Sequence, residues 1–384
     1  MDAILGDCSL SRLRQRKSFK WRTYETDVLP AFVAEMDFDP ADEIKDAIIA
    51  ALRAGDCGYP HVGELGPAFA EFAADRLGWS PDPGLVFAVP DVMSAIAEVI
   101  QAVTSPGAGV VINPPVYAPF FFRLELLGRQ VVEAPLAAIP DGGYDLDLAA
   151  LEAALAQPGV AAYLLCNPHN PLGRVWTEDQ LLQVAELCAR HDVFVLVDEI
   201  HAPLVLPGAR HVPFHTLSHP AARQAVVFTS ASKGWNIPGL KCGIAVAAAA
   251  GPAEILTQRW EALLCSHLGV LATVAALRSA RPWLDAVVAQ VDANAGLLET
   301  LLDEQLPGVG YRRPQASFLA WLDCRQLGLG DDPAATFLDR GRVALSPGPD
   351  FGRQGNGFAR LNMGTSPELL AEAVRRMAAA VGVA

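Results

Sequence analysis

Short, nearly continuous apolar runs alternate with longer stretches of helical period through the middle of the chain. The runs lie at 85–89, 109–112, 130–134, 161–166, 193–197, 225–229 and 243–247. Apolar residues recur at helical spacing over 92–103, 178–191 and 253–268. Apolar strands separated by helices predict a mostly parallel sheet buried on both faces. The texture then changes. A long helix is expected over 283–302, followed by a strand at 318–323, a helix at 333–342, a strand at 358–362 and a closing helix at 367–381. The pattern predicts an α/β chain: a large domain over 45–280 with a seven-stranded, mostly parallel sheet, and a smaller α+β domain over 281–384, which the segment 1–44 joins. At 384 residues the chain exceeds what one small core organises.

Open sheets of this kind bind ligands beyond the carboxyl ends of their strands, so the residues following each strand are the first place to look. The run 161–166 is followed by Asn167-Pro168-His169-Asn170-Pro171, and 193–197 by Asp198-Glu199-Ile200-His201. After 225–229 come Ser230-Ala231-Ser232-Lys233, and after 109–112 come Asn113-Pro114-Pro115-Val116-Tyr117. The run 85–89 leads through Pro90-Asp91 into a helix start. A lysine, a carboxylate, an asparagine, a tyrosine and a phosphate-ready helix thus converge.

Lys233 is the most informative of them. A lysine at the end of a buried strand loses stability unless it is paired or made neutral. A covalent link through its amine to a cofactor aldehyde removes that cost, which points to pyridoxal 5'-phosphate (PLP). Asp198 is then expected to face the pyridine nitrogen and keep it protonated, or else to cap a helix. Asn167 is expected to donate to the ring phenolate, and Tyr117 to stack on the ring. The phosphate is expected on the N–H groups of Val92 and Met93 at the helix start, with Ser230, Ser232 and Lys241 completing the cradle. Asp91 is expected to cap that helix with its side chain turned away. Arg360, with Asn167 beside it, is expected to grip a substrate α-carboxylate bidentately, unless it forms a surface ion pair.

Composition narrows the classes. A net charge of −14 disfavours a nucleic-acid partner, and the basic cluster from Arg12 to Lys20 reads as a solvated helix face. No apolar run reaches the roughly 20 residues of a membrane span. The start lacks the apolar core of a secretion signal, so a cytoplasmic location is expected. Seven scattered cysteines suggest neither a disulfide framework nor structural zinc. His211 and His215 have ligand-like spacing, but Pro213 interrupts the helix this requires, and no metal is expected.

These motifs resemble the fold-type-I class I/II aminotransferase superfamily and, within it, the bacterial cystathionine β-lyase (C–S lyase) branch. The superfamily likeness rests on the Asn-Pro, Asp198 and Ser230-to-Lys233 elements. The branch likeness rests on Met36-Asp37-Phe38, His169 and Asp198-Glu199-Ile200-His201, with Lys20-Trp21, Gly58-Tyr59-Pro60 and Arg360-Leu361-Asn362 extending it nearly end to end. The resemblance implies an aspartate-aminotransferase-like fold and a homodimer with shared sites, in which Tyr59 reaches the cofactor phosphate of the other subunit. It also places His201 where related aminotransferases carry a tyrosine contacting the ring oxygen. Three departures stand out: Lys241 replaces a common arginine, Leu172 a common threonine, and Gln315, Ser317 and Phe318 alter a usual Pro-Glu-Ala/Gly-Thr-Tyr stretch. The implied activity is cleavage of an S-substituted L-cysteine to thiol, pyruvate and ammonia. Transamination, decarboxylation-coupled deamination and a regulatory ligand-binding role are the alternatives.

Overall fold

The computed structural model describes residues 3–139, 142–259 and 264–382. Seven strands, β1 (Val86–Val89), β2 (Gly109–Ile112), β3 (Gln130–Glu133), β4 (Val160–Cys166), β5 (Phe194–Asp198), β6 (Val226–Thr229) and β7 (Gly243–Val246), form one sheet in the order β1-β7-β6-β5-β4-β2-β3. β7 runs antiparallel to both neighbours, and the other pairs are parallel. Alternate residues of each strand feed separate cores on the two faces. Leu164, Leu196 and Phe228 enter one, and Tyr163, Val195 and Val227 the other. This double burial explains why the strands read as unbroken apolar runs rather than as alternation.

Register aligns the carboxyl ends that matter. Cys166 pairs with Asp198, and Asp198 with Phe228. The ladder continues one residue further, with Asn167 N–H donating to Asp198 O at 2.9 Å and Glu199 N–H to Phe228 O at 2.7 Å. The residues following β4, β5 and β6 therefore emerge side by side.

Helix Val92–Val103 has the bounds its periodicity predicts. Helix Glu178–Arg190 begins at a capping box in which Thr177 and Gln180 satisfy each other's backbone N–H groups. The single helix expected over 253–268 is not what forms. One helix spans Ala250–Gln258, residues 264–266 are not helical, and a new helix runs from His267 to Arg278, with Ser266 accepting from Gly269 N–H at its start. The part of that expectation at 260–263 lies outside the described residues. Gly269 is dictated by packing, since a Cβ there would sit 2.2 Å from the Leu240 carbonyl oxygen.

A separate antiparallel sheet joins Gly310–Tyr311, Leu319–Asp323, Phe358–Asn362 and Ser346–Pro347. The long helix Arg281–Gln305 carries Pro282 in its first turn, where no N–H is needed. Buried Asn294 ties that helix to the segment just past strand Phe358–Asn362, donating to Met363 O at 2.9 Å and Thr365 O at 2.7 Å. The N-terminal segment adds a short parallel pairing, Leu29–Pro30 with Val343–Ala344. Among the described residues, no helix is long and apolar enough to cross a membrane.

The Arg12-to-Lys20 cluster corrects the reading of a solvated face. Arg12 and Arg16 both reach Asp39, and Lys20 is buried. Its Nζ lies 2.8 Å from Asp37 and donates to Glu35 O at 3.1 Å, while Trp21 Nε1 donates to the same Asp37 oxygen at 3.0 Å. Sequence charge alone cannot distinguish a buried cation from an exposed one when its partner lies 17 residues away. Removing one member of a buried pair leaves the other charge uncompensated. Lys20→Met is therefore expected to lower unfolding free energy by about 3–5 kcal/mol, read from the denaturant midpoint; a loss within experimental error contradicts the pairing.

Candidate active site

One cavity of about 360 Å³ opens over the carboxyl ends of the parallel strands. Its size suits a small-molecule site, roughly 300–1,000 Å³. It is lined by Tyr117, Asp198, His201, Ser230, Ser232, Lys233 and Lys241, with Asp91, Val92 and Met93 at the helix start. A smaller cavity of about 180 Å³, beside Tyr144, Arg174 and Trp321, contains none of these strand-end residues.

Each group owes its place to local structure. Ser230 ends β6 in extended backbone and caps the short helix Ala231–Gly234, which turns Lys233 inward. Lys233 Nζ donates to Ala34 O at 2.7 Å. Asn236 fastens this loop to the N-terminal segment, accepting from Met36 N–H at 2.8 Å and donating to Met36 O at 2.9 Å. Segment 34–38 thereby covers the lysine, a role not deduced from the sequence. On the opposite wall, a Cβ at Gly243 would meet the backbone of Asp91 and Val92 at 3.2 Å. Glycine lets β7 press against the helix start, which puts Val92 and Met93 at the cavity.

Burial sets the electrostatics. Lys233 falls from its ordinary 10.5 to about 8, chiefly because burial disfavours the ammonium and secondarily because Arg360 repels it, while Asp198 opposes both. Asp198 rises to about 7 because burial penalises its charge, although it accepts Ile200 N–H at 3.0 Å. His201 drops to about 3 through burial, then through Lys233 and Arg360, and its Nδ1 lacks a partner among the described residues. It is therefore a neutral imidazole at the cavity wall, set edge-on to Phe318 at 6.4 Å. Tyr117 is shifted upward by burial and is a neutral phenol at physiological pH.

Asp91 caps its helix as expected, with Oδ1 accepting Ser94 N–H at 2.8 Å. Its other oxygen is not turned away from the site but meets Lys241 Nζ at 3.1 Å. Burial raises its pKa, yet the Ser94 N–H and Lys241 outweigh burial and leave the carboxyl below its usual range. Ser230 gives its proton to Cys242 O at 2.7 Å, so it shapes the loop. Ser232, whose hydroxyl has no partner among the described residues, is the serine left to donate into the cavity.

The structure corrects Asn167. Its side chain accepts Trp176 N–H at 3.3 Å and donates to Val212 O at 3.5 Å, and it does not line the cavity. Asn170, three residues on, lines it and accepts Arg360 Nη1 at 3.0 Å. As the first residue past β4, Asn167 is still held in the sheet ladder, whereas Asn170 has cleared it. Two Asn-Pro steps stand together here, and spacing alone does not choose between them. Asn170→Ala is expected to raise KM for an amino-acid substrate about tenfold while leaving stability nearly unchanged. Asn167→Ala is expected to cost about 1–3 kcal/mol of stability instead. Paired steady-state kinetics and denaturation check this, and the reverse pattern contradicts the reassignment.

Arg360 stands behind Asn170 rather than in the cavity lining. Its Nη2 donates to Phe32 O and the Ser346 hydroxyl, both at 3.1 Å, and its face lies 4.9 Å over Phe351. All three acceptors are neutral, and its buried Nε has no partner among the described residues. Burial lowers even this guanidinium, to about 10. The expected alternative of a surface ion pair does not apply. Tyr59 lies outside this cavity and is 93% exposed. Of the two histidines at ligand-like spacing, His211 lies 3.1 Å from Glu199, and His215 contacts Ala225 O at 3.1 Å.

Comparison with known proteins gives the family. The class I and II aminotransferase family profile matches residues 33–377. A Mycobacterium tuberculosis protein provisionally named cystathionine β-lyase is 44% identical over 97% of both chains. The Bacillus subtilis cystathionine β-lyase PatB is 37% identical over 95% of this chain and 97% of its own. Among solved structures, cystalysin from Treponema denticola, which contains a pyridoxal 5'-phosphate cofactor, superimposes with a TM-score of 0.91 at 26% identity over 96% of this chain and 97% of its own. The chain belongs to the class I and II aminotransferase family, in the branch that includes cystathionine β-lyases of this kind.

Proposed function

We propose that the protein is a PLP-dependent carbon–sulfur β-lyase that cleaves S-substituted L-cysteines to thiol, pyruvate and ammonia. The observation that carries this reading is the gathering of Lys233, Asp198 and Asn170 at one strand-end cavity, with Arg360 hydrogen-bonded to Asn170 from behind. The buried groups fit the cofactor. Asp198 is a buried carboxylate raised to about 7 that accepts a backbone N–H from Ile200, and it would hold the ring nitrogen of the cofactor protonated. Val92, Met93, Ser232 and Lys241 would hold the phosphate, and Tyr117 would pack on the ring. When bound, PLP supplies the electron sink for negative charge at the substrate Cα.

The chain's own residues do the rest. Arg360, whose side-chain hydrogen bonds among the described residues go to neutral acceptors, holds the α-carboxylate, and Asn170 orients both. That grip fixes which Cα bond faces the lysine. With its pKa lowered to about 8, the Lys233 amine takes the Cα proton near neutral pH. A thiolate on Cβ then departs, and water completes the balance to pyruvate and ammonia. His201, neutral through burial, contributes no competing charge. The enzyme works as a homodimer, and the exposed Tyr59 of the partner subunit completes the phosphate site.

Elimination and transamination share proton removal and part afterwards. Supplied with an S-alkyl-L-cysteine and no keto acid, the enzyme is expected to release thiol and pyruvate in equal amounts over many turnovers. A single turnover that stalls until a keto acid is added overturns the lyase reading in favour of transamination.

A further inference from the structure

The cavity contains one cation that the reaction as described does not use. Arg123 lines it beside Tyr117, Pro119 and Met93. The helix Pro119–Leu126 explains the position. Pro119 and Arg123 are four residues apart and share a face, which borders the cavity, while Phe120 and Leu124 are buried in the core on another face. Arg123 is half-buried. Its side chain has no hydrogen-bond or ion-pair partner among the described residues.

The other basic groups around the site are occupied. Lys241 pairs with Asp91. Lys233 is held by Ala34 O, and Arg360 by Asn170, Phe32 O and Ser346. On the reading above, each also has an anion or a reaction step to serve: the phosphate for Lys241, the α-carboxylate for Arg360, the Cα proton for Lys233. Arg123 is left over, on a wall that also presents the ring of Tyr117. A partly desolvated guanidinium with no counter-ion favours a carboxylate that can accept its paired N–H donors.

We propose that Arg123 is a specificity residue that recognises an acidic group on the sulfur substituent, so that the preferred substrates are S-substituted L-cysteines whose substituent ends in a carboxylate. This deepens the lyase reading and rests on it. The thiol released is then itself an acid, and the reaction that supplies the substrate must join cysteine sulfur to a carboxylate-bearing carbon chain.

The test compares S-(2-carboxyethyl)-L-cysteine with S-propyl-L-cysteine, close in size but different in charge, on wild-type holoenzyme and on Arg123→Met. Wild type is expected to prefer the acid in kcat/KM, and Arg123→Met to reduce the acid-over-neutral ratio about tenfold, chiefly through KM. Arg123→Lys is expected to restore part of the ratio, because charge survives and the fork does not. Binding of the same two compounds, followed by the cofactor's absorbance, carries the comparison without turnover. An unchanged ratio overturns the proposal. So does a fall in PLP affinity in Arg123→Met, which moves Arg123 to the phosphate cradle. Absence of pyruvate from both compounds in wild type counts against the lyase reading instead, and the binding ratio still decides the role of Arg123.

Discussion

Lys233→Ala is expected to reduce kcat by about 10⁴-fold or more, with the fold intact. One amine has two duties. General-base catalysis alone contributes roughly 10²–10⁴-fold, and the covalent anchoring of the cofactor is lost as well. Stability should hold or improve, because a buried lysine lowered to about 8 is a desolvated group whose only side-chain hydrogen bond among the described residues is to Ala34 O. Measured together, turnover and the denaturation midpoint separate the two effects. Retention of turnover near the wild-type rate removes this lysine from the chemistry.

Arg360→Leu carries the second large effect. Truncating one partner of a buried, hydrogen-bonded charge interaction costs about 2–5 kcal/mol. At about 1.4 kcal/mol per tenfold, kcat/KM is expected to fall roughly thirty-fold to several thousand-fold. Arg360→Lys should fall between, keeping charge but losing the paired donors. A titration signature accompanies the kinetics. Arg360 is the second cause, after burial, of the lowered Lys233 pKa, so in the cofactor-free protein Arg360→Leu should move Lys233 ionisation to higher pH. The sign follows from removing a like charge, which makes the ammonium easier to keep. Unchanged kcat/KM together with an unmoved Lys233 titration contradicts the role given to Arg360.

Some of this was readable from residue order and some was not. The seven main strands are visible because both faces of the sheet are buried, which makes each strand a short apolar run. Lys233, Asp198 and Tyr117 are visible because strand ends in such sheets collect function, and each follows its strand directly. Asn170 is harder to find: it and Asn167 each precede a proline, and only the length of β4 decides which has left the ladder. Lys20 reads as one more basic residue among several, because its partner Asp37 is distant in sequence and nothing local marks it as buried. After the non-helical residues 264–266 a new helix starts at the Ser266 cap, and its Gly269 sits against the Leu240 carbonyl, a tertiary contact that helical periodicity does not encode. Arg123 escapes notice for the opposite reason. It lies mid-helix, where a lone arginine ordinarily faces water, and its significance comes from the cavity its helix happens to border.

The chemistry turns on a covalent bond at one nitrogen. Purified protein loaded with pyridoxal 5'-phosphate, reduced with borohydride and digested, is expected to carry the pyridoxyl group on the peptide containing Lys233 and on no other lysine. Label elsewhere, or no label despite full cofactor loading, contradicts the account.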